Sequence, residues 1–194
     1  FRKISVIGLG LIASSICLTL RQKDPTIKLV GYDKDKVVRN RAKKIGLCKV
    51  ESNLDNAVSG SQLIILCVPV GQMQAVTQRL KKIIEPGTTI TDVGSVKLSV
   101  IEEIESNIES VGGKYVPSHP IAGTERSGPD AGYAGLFEGR WCILTPTKKT
   151  NKKALNSLET FWKFLGMKTK IMTPEHHDLV LAVTSHAPYL IAYT

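Results

Sequence analysis

Ile4-Ser5-Val6-Ile7-Gly8-Leu9-Gly10-Leu11-Ile12-Ala13 carries the chain's first apolar run into two glycines spaced one residue apart. The run at 4–7 reads as a buried strand, and residues 12–22 read as a helix. Strand, Gly-x-Gly turn and helix in that order are the context of a dinucleotide-binding turn. Gly8 permits the tight turn, Gly10 lets backbone approach a pyrophosphate, and Ala13 takes the place of the third glycine at the helix–strand contact. The first helical residues, Leu11 and Ile12, then present free N–H groups and a partial positive charge to the phosphates.

Outward from this turn the chain alternates. Apolar runs at 28–32, 63–68 and 89–93 read as further buried strands, separated by helix-like segments at 36–45 and 72–84. That alternation predicts an α/β fold, a doubly wound Rossmann-type parallel sheet with helices on both faces. Later strands are expected at 114–116, 141–145 and 168–172, and helices at 96–108 and 152–165. Gly166 stops the last of these as a left-handed cap. Thr173-Pro174 then caps an apolar helix from Glu175 to Thr194, kinked near Ser185 by Pro188. This helix shows no stop signal, so the natural protein is expected to continue. The expected division is a dinucleotide-binding domain over 1–173 and the first helix of a helical domain over 174–194.

The expected ligand edge is where these strands end. Asp33 closes the 28–32 strand about 20 residues after the glycines, where a carboxylate accepts from both ribose hydroxyls and repels a 2′-phosphate. This predicts NAD over NADP, although Lys34, Arg39 and Arg41 lie close by. Cys67-Val68-Pro69-Val70 ends the 63–68 strand on the same edge, with Val68 and Pro69 as candidate cofactor contacts. Asp92-Val93-Gly94-Ser95-Val96-Lys97 ends the next. Ser95 can place a hydroxyl near the nicotinamide or a catalytic base, and Asp92 and Ser95 equally suit helix capping.

Ser118-His119-Pro120-Ile121-Ala122-Gly123-Thr124-Glu125 puts a histidine between Pro117 and Pro120, where no helix or central strand can run. A loop histidine at this edge is a candidate base near neutral pH. The Gly-rich stretch at 123–139 is the candidate functional loop. His176 and His177 are expected as exposed first-turn residues, and His186 alone would read as a core histidine. No spacing suits a metal site.

Composition narrows the class. The 194 residues carry 42% hydrophobic and 22% charged residues, ordinary for a globular chain. No run of about 18 apolar residues exists, so no membrane span is expected. No signal segment precedes Ile4. Cys17, Cys48, Cys67 and Cys142 fit no zinc spacing and read as reduced thiols, hence a cytoplasmic chain. The net charge of +9 is spread without an aromatic-interleaved stripe, which argues against nucleic acid.

With these residues in place the chain resembles the prephenate/arogenate (cyclohexadienyl) dehydrogenase family. The likeness runs over essentially all 194 residues. It rests on the Gly8–Ala13 turn, Asp92-Val93-Gly94-Ser95-Val96-Lys97, His119-Pro120-Ile121-Ala122-Gly123-Thr124-Glu125 and Ser185-His186-Ala187-Pro188. The last two are far more specific than the glycine turn. The resemblance implies a Rossmann domain followed by an all-α domain that builds a homodimer. It implies NAD(P)-dependent oxidation of prephenate to 4-hydroxyphenylpyruvate, or of arogenate to tyrosine, with loss of CO2, in tyrosine biosynthesis.

On that resemblance His119 takes the proton of the ring 4-hydroxyl, and Ser95 orients His119 and touches the nicotinamide region. Thr124, Glu125, Ser185 and His186 line the substrate pocket, and His177-Asp178 is a structural element. The chain departs from the family at Tyr189, where many members have a second histidine. The arginine for the ring carboxylate is expected beyond Thr194. A β-hydroxyacid dehydrogenase would need a lysine on a later helix, and none has that context. A non-catalytic NAD-sensing module is the reading from another class.

Overall fold

The computed structural model describes residues 1–186, with side chains through Thr184. Strands β1 (Lys3–Ile7), β2 (Lys28–Tyr32), β3 (Lys49–Val50), β4 (Leu63–Leu66), β5 (Thr89–Asp92) and β6 (Lys114–Tyr115) form one parallel sheet in the order β3-β2-β1-β4-β5-β6. Ile4 of β1 pairs with Leu29 on one side and Leu63 on the other. The chain winds outward from β1 to β3, then restarts at β4 on the opposite flank. That reversal opens a crevice at the carboxyl ends of β1 and β4, where doubly wound sheets bind ligands.

The uninterrupted apolar run of β4, Leu63–Leu66, follows from burial on both faces. Successive side chains alternate across the sheet. Ile4, Val6, Leu63 and Ile65 enter a core shared with α1 (Leu11–Lys23) and α6 (Lys152–Phe164). Ile7, Ile64, Leu66 and Ile90 enter the other, with α3 (Leu54–Val58), α4 (Met73–Leu80) and α5 (Leu98–Glu109). Asp35 caps α2 (Lys36–Lys44), Asn151 caps α6, and Thr173 caps α7 (Pro174–Leu181), each accepting from an amide of the first turn. Each such cap contributes about 1 kcal/mol.

A second, three-stranded sheet has the order β7-β8-β9: β7 (Ser118–Pro120), β8 (Trp141–Leu144) and β9 (Lys168–Ile171). His119, expected on a loop, lies in β7, opposite Ile143 in an antiparallel pair. β7 is an edge strand, where a proline without an N–H is tolerated.

Other boundaries shift for local reasons. The expected helix at 72–84 starts with a 3₁₀ turn, Val70–Gln72, and its α-helical part ends at Leu80. The helix expected at 96–108 begins at Leu98 instead. Neither Asp92 nor Ser95 caps it. The carboxylate of Asp178, on α7, accepts from the amides of Lys97 (2.8 Å) and Leu98 (3.0 Å). α7 passes at Ala182 into a π-helical turn, Ala182–His186. The expected continuation to Thr194 and the kink at Pro188 lie outside the described residues.

Much of the stretch at 123–139 is packed structure. A Cβ on Gly132 would stand 2.3 Å from Ser14 Cβ, and Leu136 and Phe137 are fully buried. Thr19 donates to the Ala134 carbonyl at 2.8 Å, and Arg41 donates to Asp130 at 2.8 Å. Its longest exposed run is its start, residues 123–127.

Candidate active site

The crevice is built by the glycine turn. Gly8 has φ +92°, and a Cβ there would stand 2.7 Å from the Cys67 carbonyl oxygen, so the turn and the end of β4 touch backbone to backbone. Gly10 differs: a Cβ there would meet nothing within 4 Å. It stands at the N-cap of α1 without a side-chain hydrogen bond, and the first turn holds no acidic residue. Among the described residues no side chain caps this helix start, which suits an anionic diphosphate. Ala13 is fully buried at the helix–sheet contact.

Asp33 stands at the end of β2 beside this turn. Its carboxylate accepts from the amides of Leu9 (2.8 Å) and Asp35 (2.9 Å), which ties the glycine turn to β2. Arg39 donates to the Asp33 carbonyl at 2.6 Å and lies 5.8 Å over the Tyr32 ring. Arg41 is held by Asp130 instead. These residues fit a dinucleotide: a helix start with no side-chain cap, a glycine with open space beside it, and a carboxylate at the end of β2. Val68 and Pro69 flank the opposite wall, at the end of β4.

The histidine side of the site hangs on a buried polar cluster at the end of β5. Asp92 and Lys97 are both fully buried and form an ion pair. Lys97 Nζ also donates to the Ser118 carbonyl at 2.9 Å, and Ser118 Oγ donates to the Asp92 carbonyl at 2.8 Å. Asp92 accepts further from Tyr115 Oη at 2.7 Å and from the Gly94 amide at 2.9 Å. Burial, and then the Asp92 carboxylate, push the Tyr115 phenol up, so it remains a donor. Ser118 is thus clamped to β5, and His119 follows it at the carboxyl edge.

His119 is 9% exposed, and its Nδ1 lies 2.9 Å from Nε2 of His177. His177 Nδ1 lies 2.7 Å from Asp178 Oδ1. The expectation of an exposed His177 is overturned: its side chain is fully buried, because α7 seats it against β7. His176 is exposed as expected. Burial pushes His177 below its ordinary pKa and outweighs the attraction of Asp178. Burial works against the Asp178 carboxylate, yet the amides of Leu98 and Lys97 and the His177 ring hold it below its ordinary value.

Ser95 is exposed at the same edge and makes no side-chain hydrogen bond among the described residues. His177 gives the His119 ring a contact that sequence reasoning did not foresee. Thr124 and Glu125 are exposed and line a cavity of about 390 Å³ with Arg126, Ala131 and Tyr133. The side chains of Ser185 and His186 lie outside the described residues. Sequence reasoning missed the Asp92–Lys97–Ser118 clamp and the burial of His177. The one available signal was the Thr173-Pro174 cap, which fixes His177 one turn into α7. Among the described residues, no group of three His, Cys, Asp or Glu could hold a metal ion.

Residues 16–171 match the family model described as prephenate dehydrogenase, nucleotide-binding domain. The chain belongs to the prephenate dehydrogenase family. It is 41% identical over 194 residues to the cyclohexadienyl dehydrogenase of Zymomonas mobilis, covering all of this chain and 66% of that protein. The prephenate dehydrogenase of A. aeolicus, crystallised with hydroxyphenyl propionate and NAD+, superposes with a TM-score of 0.92 at 31% identity, over 100% of this chain and 67% of that one. The Synechocystis arogenate dehydrogenase superposes with a TM-score of 0.87 at 30% identity, over 96% and 65%. The prephenate dehydrogenases of Bacillus subtilis and Lactococcus lactis are longer still, and the chain spans about half of each.

Proposed function

We propose that the full-length protein oxidises prephenate to 4-hydroxyphenylpyruvate with loss of CO2, using NAD, on the route to tyrosine. The observation that carries this reading is the place of His119: clamped through Ser118 to the end of β5, on the edge where the glycine turn opens. The bound nicotinamide supplies an acceptor for the hydride leaving ring C4. His119 accepts the 4-hydroxyl proton, and positioned proton transfer of this kind contributes about 10²–10⁴-fold. Ser95 extends toward the nicotinamide region. Gly8, Gly10, Leu11 and Ile12 hold the diphosphate, and Asp33 the ribose. The ring carboxylate leaves as CO2 and aromatisation drives the step forward.

Thr124 and Glu125 would meet the substrate from the 390 Å³ cavity, with Ser185 and His186 completing the pocket. Arg126 and Glu125 give that wall both charges, which keeps arogenate as a second reading. A carboxylate at Glu125 suits the ammonium of arogenate, and the neighbouring guanidinium suits the side-chain carboxylate that both substrates carry.

We further propose that residues 174–194 begin a helical domain that pairs two copies. Leu179 and Val183 support this, being 67% and 65% exposed on the first helix of that segment. Four free thiols support a cytoplasmic setting, and no helix among the described residues is long and apolar enough to cross a membrane. The test is NADH formation by the full-length enzyme with prephenate and with arogenate, each with NAD and NADP. Turnover of prephenate with NAD is expected, and His119→Asn should lower kcat about 10²–10⁴-fold with NAD binding intact. Dinucleotide binding without turnover of either substrate would overturn the reading.

A further inference from the structure

We propose that His177 and Asp178 are positioning residues that set the tautomer of His119, so that its Nε2 carries the lone pair that receives the substrate proton. This rests on the reading of His119 as the base. The geometry is a chain of three side chains. Asp178 Oδ1 lies 2.7 Å from His177 Nδ1, and His177 Nε2 lies 2.9 Å from His119 Nδ1. The two rings meet edge to face, 5.1 Å between centroids and 67° apart.

The proton inventory of the chain has one solution when His177 is neutral. An ionised carboxylate only accepts, so His177 must donate from Nδ1. Neutral His177 then has a bare Nε2, which accepts, and His119 must donate from Nδ1. His119 Nε2 is left as the unprotonated nitrogen. Asp178 is anchored for this task by the amides of Lys97 and Leu98, at the start of α5. It cannot rotate away without uncapping that helix.

Among the described residues, the charges around the pair leave Asp178 as the uncompensated one. Lys97 and Asp92 also face His177, but they neutralise each other in a buried pair. Cys142 on β8 faces the backbone of His119, and burial keeps its thiol protonated. When His119 takes up the substrate proton, the positive charge is met by His177 Nε2 and, behind it, by Asp178. The arrangement has the logic of an oriented catalytic imidazole, with one more ring between carboxylate and base.

The test uses the full-length enzyme with three variants. Asp178→Asn removes the anion, and its one amide oxygen cannot serve all three donors, since Oδ1 accepts from His177 Nδ1 and the Lys97 amide while Oδ2 accepts from the Leu98 amide. kcat should fall at least 10²-fold, and ¹⁵N spectra of the labelled wild-type protein at pH 8 should show His119 protonated at Nδ1. The acid limb of kcat/KM should move about half a unit or more to lower pH, because an anion that favours protonated His119 is gone. His177→Phe leaves the α5 cap in place and covers the case in which the Asn variant does not fold; it should lower kcat at least 10-fold and move the same limb. A purely structural role leaves the limb where it was. An unmoved limb with kcat within threefold in His177→Phe overturns the proposal, as does wild-type His119 protonated at Nε2. His119→Asn separates the two readings. If it keeps its kcat, the base assignment falls, while the ¹⁵N tautomers still decide the relay.

Discussion

Lys97→Met tests whether the buried cluster under His119 holds the site together. Lys97 and Asp92 are fully buried, and the lysine ammonium bridges the Asp92 carboxylate and the Ser118 carbonyl. Methionine fills the aliphatic volume but removes the charge. Asp92 keeps Tyr115 Oη and the Gly94 amide as donors, and the Ser118 carbonyl loses one. Removing one partner of a buried pair costs about 3–5 kcal/mol, because the remaining charge is left uncompensated. At about 2 °C or more per kcal/mol, the melting temperature should fall by at least roughly 6 °C. The second prediction comes from the cycle. Lys97→Met with Asp92→Asn removes both charges while the amide oxygen still accepts from Tyr115. The double variant should therefore be less destabilised than the two single losses added together. Differential scanning calorimetry of the four full-length proteins, with kcat on each, reads both quantities. A melting temperature within 2 °C of wild type for Lys97→Met, or strict additivity in the cycle, would refute the reasoning. kcat should fall with Lys97→Met even below the melting range, since Ser118 places His119.

Gly8 and Gly10 should separate folding from binding. Gly8→Ala forces a Cβ to 2.7 Å from the Cys67 carbonyl at φ +92° and should cost about 1–3 kcal/mol and weaken NAD binding together. Gly10→Val fills open space and should leave the melting temperature within about 2 °C while raising the NAD Kd at least 10-fold; calorimetry and fluorescence titration check both. On the proposed ribose role of Asp33, Asp33→Ser removes that carboxylate and leaves Arg39 beside it, so the NAD:NADP ratio of kcat/KM should fall at least 10-fold, and an unchanged ratio removes Asp33 from specificity. Acidification should destabilise the fold. His177 is held below about 6.5, so as pH falls through that value the unfolded chain binds its proton first and stability declines. Asp178 is likewise depressed, and its contribution, complete above about pH 4, is lost as pH falls through its folded value. His177→Phe should flatten the melting temperature between pH 7 and pH 5, and an identical slope in the variant would show that other groups carry it.

The parts of the fold legible in the sequence are those whose cause is local. Residues 4–13 specify a strand, a turn and a helix within ten positions, and the apolar run at 63–66 needs no partner to announce burial on both faces. What escaped depends on residues far apart in the chain. α5 starts at Leu98, two residues later than its own sequence suggests, because its cap comes from Asp178, about 80 residues on. His119 reads as a loop residue until β8 arrives to pair with it, and the strand is then possible only at an edge, where Pro120 costs no ladder bond. His177 reads as a solvated first-turn histidine until α7 packs against β7 and α5. The same long-range contacts give the site its chemistry. Ser118, Lys97 and Asp178 are each ordinary polar residues in isolation. Brought together, they hold one imidazole at the mouth of the dinucleotide crevice and decide which of its nitrogens bears a proton.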